Sequence, residues 1–199
     1  MQNRKSYYVA LFGIMLATIF AAMTLDRALS IVIPIGIAWF CLTVTLSFAF
    51  MKDTWWIAVF AGLFFGLASL VTAPLGGKYV FLDPRISVLT RVISMTFAYF
   101  VYKFVSFLGR NAKNRRTMQY VALSVGAFFG VCANTATVLP ALVLWGGRDS
   151  VVNLFMGIAV INFIPELVIA TLAVPPIVLG VRKAMHFGID GKSDKFAEA

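Results

Sequence analysis

The chain has 199 residues, of which 61% are hydrophobic and only 13% charged, and its mean hydropathy is +0.91. An ordinary soluble domain carries about 25% charged residues. A fold of this size cannot hide so much apolar surface from water, so lipid must be part of its solvent and no length remains for a soluble catalytic domain. The formal charge of +9 comes from 17 Lys and Arg against 8 Asp and Glu. These basic residues cluster between apolar runs, as membrane orientation requires, and they do not predict a nucleic-acid partner.

In chain order, the hydropathy pattern predicts apolar spans over residues 7–25, 31–51, 55–73, 86–108, 118–145 and 151–181. Each is near or above the roughly 20 residues a helix needs to cross the hydrocarbon core. The last two are longer and require tilt, a break or an extension. Pro165, Pro175 and Pro176 offer kink or end points in the last. The first run lacks a small-residue cleavage site and is read as a span, with no cleavable signal peptide. The expected fold is therefore all-α, a single integral membrane domain over residues 1–199 with six transmembrane helices.

Orientation follows from the positive-inside rule. Arg4 and Lys5 precede the first span, Lys52 follows the second, and Arg110, Lys113, Arg115 and Arg116 follow the fourth. Arg182, Lys183, Lys192 and Lys195 follow the sixth. An even number of crossings puts all of them on one side and both termini in the cytoplasm. The other side holds Arg27, Lys78, Arg85 and Arg148, mostly beside an acid, as in Asp26–Arg27 and Arg148–Asp149. There the connection over residues 74–84, PLGGKYVFLDP, pairs glycines that allow tight turns with aromatics. It is either a cover for a site or a plain connector with interfacial Tyr79 and Phe81.

Polar residues inside apolar runs are costly and mark candidate sites. Arg91 lies about six residues into the fourth span, roughly 9 Å deep. It either reaches a ligand or snorkels to the headgroups. Asn134, Thr135 and Thr137 sit on the fifth span, and Asn162 and Glu166 share one face of the sixth. Glu166 needs a partner, which is either Arg91 or a ligand. Asn134 and Asn162 bind ligand or clamp neighbouring helices. On the first span Gly13, Ala17 and Ala21 form a low-bulk stripe, open to close helix approach or to internal packing. Cys41 and Cys132 read as small buried side chains, and His186 as a solvated residue beyond the last span. No phosphate loop, metal-ligand cluster, nucleophile motif or paired carboxylates appear in the sequence. The expectation is a small-molecule binding protein with no cofactor and no enzymatic activity.

The runs LDPRISVLTRVI (82–93), GVCANTATVL (130–139) and INFIPELVIATLAVPPIV (161–178) resemble the substrate-binding S-components of energy-coupling factor (ECF) vitamin transporters. The arginine-bearing fourth helix, the Asn-Thr pair and the Pro-Glu sixth helix look most like the pantothenate-type subgroup. Lys52-Asp53-Thr54 stands where many of those proteins carry Gly-Pro before the third span. The resemblance implies a subunit of a bacterial plasma-membrane importer that captures a vitamin from outside. A transmembrane coupling subunit with two ATPase subunits would then drive delivery. It implies a substrate-binding set of Arg91, Asn134, Thr135, Asn162, Glu166, Arg85 and Tyr79, and a coupling-subunit interface at Gly13, Ala17 and Ala21. The alternatives are an S-component for folate or riboflavin, or a proton-coupled carrier built on Glu166.

Overall fold

The computed structural model describes residues 4–32, 39–77, 79–146 and 163–185. Among these the chain is helical: α1 (Arg4–Val32), α2 (Trp39–Met51), α3 (Trp55–Thr72), α4 (Thr90–Leu108), α5 (Arg115–Trp145) and α6 (Phe163–Ala184). A π-helical turn, Arg85–Leu89, leads into α4. Among the described residues, five helices are long and apolar enough to cross a membrane. Their outward faces are apolar, with Val9, Phe104, Leu144 and Leu172 all more than 60% exposed. That is the surface of a multi-pass membrane protein, apolar towards lipid.

The helices alternate in direction, so the bundle has two ends. The distal end holds the 74–82 connection, the C-termini of α1, α3 and α5, and the N-termini of α2, α4 and α6. The basal end holds the turns at 52–54 and 109–114.

Helix α2 is the central element. It has 13 residues, nine of them buried, and it packs on all five other helices. At 1.5 Å per residue it is about 20 Å long, short of the ~30 Å hydrocarbon core. The predicted second span started at residue 31, but Ile31 and Val32 belong to α1; residues 33–38 lie outside the described ones. Both ends of α2 are held by charges from other helices. Asp26 of α1 accepts the first-turn N–H groups of Phe40 (3.3 Å) and Cys41 (2.8 Å). At the other end Arg182 of α6 donates to the carbonyls of Met51 (3.1 Å) and Phe50, and to the Tyr102 hydroxyl (3.0 Å). An anion at the N-terminus and a cation at the C-terminus satisfy orphan backbone groups and complement the helix dipole.

This overturns two readings of the charges. Asp26 and Arg27 were expected in a loop outside the first span. Instead α1 runs 29 residues and buries them at 0% and 6% exposure. Arg182 was expected among solvated basic residues after the sixth span, but it lies inside α6 and is 1% exposed. The apolar spacing does not stop at either position, so the helix continues and turns the charge inward. The sixth helix also passes through Pro175 and Pro176 without ending. Similarly, α5 begins at Arg115, three residues before the predicted span, with the Asn114 side chain accepting the Thr117 N–H.

Close packing of α3 on α4 sets the site. A Cβ on Gly62 would stand 2.7 Å from the Arg91 carbonyl oxygen, and one on Gly66 2.6 Å from the Val88 Cα. Only glycine at both positions lets the backbones approach this closely, as in small-xxx-small membrane interfaces. The Gly13–Ala17–Ala21 stripe behaves differently: all three residues are exposed, and a Cβ on Gly13 would meet nothing within 4 Å. Internal packing of that stripe is therefore excluded.

Candidate functional site

At the distal end the bundle gathers four buried charges from three helices: Asp26 and Arg27 from α1, Arg91 from α4 and Glu166 from α6. Arg91 is positioned by the π-helical turn before it. Such a turn widens the helix and displaces backbone carbonyls from their usual donors. The Arg91 side chain, directed towards the helix N-terminus, donates through Nη1 to the carbonyls of Ile86 (3.2 Å) and Ser87 (2.9 Å). Its Nε is buried without a hydrogen-bond partner among the described residues. The guanidinium carbon lies 4.9 Å from the centre of the Phe65 ring and 5.2 Å from that of Phe81. At 6% exposure it does not snorkel.

The 74–84 connection is folded onto this cluster. Two 3-10 turns, Pro74–Gly76 and Tyr79–Leu82, carry the chain across the distal end, and Gly77 supplies a positive φ of 65°. Phe81 is buried against Ile86, Val138 and Leu142, and its carbonyl accepts the Ser87 hydroxyl. Asp83 fixes the entry to the π-helical turn by accepting the Arg85 N–H at 2.8 Å. The connection carries one of its aromatic rings, Phe81, inward and leaves the other, Tyr79, exposed. Arg27 of α1 reaches the same ring from its own helix, 5.8 Å from the Phe81 centre.

Helix α5 contributes Asn134, whose Oδ1 is buried without a partner among the described residues. Nearby, Thr137 bonds the Ala133 carbonyl (2.8 Å) and reaches the Thr90 carbonyl of α4 (3.3 Å). Thr137 thus joins α4 to α5. Thr135 is half-buried. Glu166 is 7% exposed and within electrostatic reach of Arg91, yet no direct ion pair joins the two. Among the described residues the ion pair found is Lys103–Asp53, at the basal end.

Of the sequence-predicted set, the structure brings Arg91, Asn134 and Glu166 to the distal end of the bundle interior. Tyr79 is 66% exposed and Arg85 is also exposed; neither side chain joins the buried cluster. Asn162 lies outside the described residues, as do Lys78, Arg148, Asp149 and His186. Sequence reasoning passed over Arg27 as a buried charge and the aromatic wall Phe65, and weighed Phe81 only as part of a cover or as an interfacial residue. Arg27 was legible in one respect, because the apolar spacing continues past it to Val32. Phe65 carried no signal, since a Phe in an apolar chain is unremarkable until its neighbours are known.

No family model, curated protein or solved structure matches this chain. Its function must therefore be argued from the site.

What the arrangement does chemically follows from its open valences. Arginine offers five donors in a rigid fork. With Nη1 committed to the backbone, the Nε–Nη2 edge of Arg91 remains, and that edge matches a carboxylate side-on with two parallel hydrogen bonds. The Asn134 Oδ1 asks for a donor, which a hydroxyl or amide N–H supplies.

Proposed function

We propose that this protein is the membrane-embedded substrate-binding subunit of an ECF-type vitamin importer, and that its ligand is pantothenate. On this reading the chain crosses the membrane six times with both termini in the cytoplasm, and the distal end faces outside. The observation that carries the ligand class is the buried Arg91 with its Nε edge open. Pantothenate has a carboxylate for that edge, and hydroxyls and an amide for Asn134 and its neighbours. The exposed Gly13–Ala17–Ala21 stripe is the face for the coupling subunit, and two ATPase subunits supply the energy. Exposed Arg110, Lys113, Arg115, Arg116 and Lys183 at the basal end fit a cytoplasmic face.

The test is binding without transport. The purified protein should bind pantothenate, and bind its uncharged alcohol analogue far more weakly. Reconstituted alone in liposomes it should accumulate no labelled vitamin. Accumulation against a gradient by the isolated chain would sink the proposal. If that accumulation followed an imposed pH gradient, it would favour the self-sufficient carrier in which buried Glu166 moves the proton.

A further inference from the structure

We propose that the site takes its carboxylate together with one proton, and that Glu166 is the residue that holds the proton. This rests on the reading of Arg91 as a carboxylate-binding residue and requires no transport by the isolated chain.

Among the described residues, the buried charged side chains of the distal end are Asp26, Arg27, Arg91 and Glu166. They form one electrostatic series: Arg27 is within reach of Asp26, and Arg91 is within reach of both Arg27 and Glu166. Two acids against two bases leave the empty site neutral, and mutual compensation is what lets a dry interior hold four charges. A ligand carboxylate on Arg91 leaves the cluster with one excess negative charge. Net charge is costly in such a place, and a buried carboxyl group answers by taking up a proton.

The geometry selects which carboxyl. Asp26 accepts the N–H groups of Phe40 (3.3 Å) and Cys41 (2.8 Å) through its two oxygens, and a proton there would weaken the clamp on α2. Glu166 acts instead on Arg91, the guanidinium that the ligand would take. Ligand and Glu166 are then two carboxylates beside one cation, an arrangement in which one proton is shared. Helix α6 packs on α2 and α5. The titratable group of α2 is the Cys41 thiol, and beyond Arg116 those of α5 are Tyr120 and Cys132. A neutral thiol or phenol has no proton to gain, nor has a guanidinium. The balanced step is a carboxylate and a proton from water entering together, with no covalent bond broken and no charge added to the interior. Loss of a cation would be met the same way, so that Arg27→Met with a proton on Glu166 removes a pair of buried charges and not one.

The experiment is calorimetric titration of the full-length chain, in detergent or nanodiscs, with pantothenate and with its uncharged alcohol, in buffers of different ionisation enthalpy. The dependence of the heat on the buffer counts the protons. Pantothenate should take up about one proton, and its affinity should fall about tenfold for each pH unit between roughly pH 6 and 8. The alcohol should take up none. Glu166→Gln should abolish both the uptake and the pH dependence for the acid, and at about pH 8 should bind it more tightly than the wild-type chain does. Glu166→Asp, which keeps a carboxyl group, should keep the uptake. Pantothenate binding with no proton uptake and a flat affinity would overturn the proposal, as would uptake that persists in Glu166→Gln. Where Glu166→Gln does not fold, the wild-type buffer series still decides on the proton. N-acetyl-β-alanine and its amide separate this inference from the vitamin reading. If the wild-type chain binds that acid with a proton but ignores pantothenate, the vitamin is wrong and the proton site stands. If neither acid binds, the proton site falls together with Arg91 as a carboxylate-binding residue.

Discussion

The two ends of this bundle each bury arginine, and they use it in opposite ways. At the basal end Arg182 donates to two carbonyls of α2 and to Tyr102. The Tyr102 hydroxyl meets the Gln119 Oε1 at 3.2 Å, and the Gln119 Nε2 donates to Ser106 at 2.7 Å. Four helices are tied through one connected polar network, the kind that fixes a unique packing. At the distal end Arg27 and Arg91 leave Nε atoms without partners among the described residues, and so do Trp39, Ser69 and Asn134 with their polar atoms. Unmet hydrogen-bonding groups in a dry interior cost stability. A native chain tolerates them where function needs them. The difference between the ends is one of satisfaction: the basal arginine is fully engaged, whereas the distal ones keep polar atoms open among the described residues.

The largest expected effect is at Arg182. Arg182→Ala strands two carbonyls in the interior, at about 1–3 kcal/mol for each unmet group. The variant should lose about 3 kcal/mol or more in thermal or denaturant unfolding in detergent. A loss below about 1 kcal/mol would break the contrast between the ends.

Gly62→Leu comes next, because it pushes α3 off the Arg91 backbone. Overpacking of this kind costs about 1–3 kcal/mol, and it should reduce ligand binding along with stability. The same change at Gly13, where a side chain meets nothing, should leave both as they were and, on the proposed importer reading, impair only uptake by the full assembly.

At Arg27 the sign should reverse. Arg27→Met removes a buried charge that makes no ion pair with a described acid, and apolar replacement of buried charge is often neutral or stabilising. The variant should be as stable as the wild type or more so, by up to about 1 kcal/mol, in denaturant unfolding. A clear drop in stability would place Arg27 with Arg182 among the structural residues.

The smallest effect belongs to Tyr79, which the sequence put in the site and the structure leaves 66% exposed. Tyr79→Ala should change ligand affinity by less than about twofold in a direct titration. A larger change would mean that the Tyr79–Leu82 turn contacts ligand through more than Phe81.

The sequence by itself determined the helical class and the outer surface. Hydrophobic runs of crossing length are local, and water penalises them whatever they pack against. The third span agrees with α3 to within a residue, and the fourth with α4 once the π-helical turn Arg85–Leu89 is counted with it. Arg91, Asn134 and Glu166 were also legible, since a polar side chain within such a run is costly wherever it points. Direction is what the sequence could not supply. Whether Arg27 and Arg182 turn to water or into the bundle depends on which helix lies beside them. The partners of Arg182 are 131 and 132 residues away in the chain. The clamp on α2 joins Asp26 to residues 14 and 15 positions on, across a connection whose course no local pattern fixes. The Gly62 and Gly66 contacts with the Arg91 and Val88 backbones likewise exist only once α3 and α4 are side by side. Tertiary structure decided which charges became scaffold and which became site, because burial, and with it the need for a partner, is a property of the packed bundle and not of the residue.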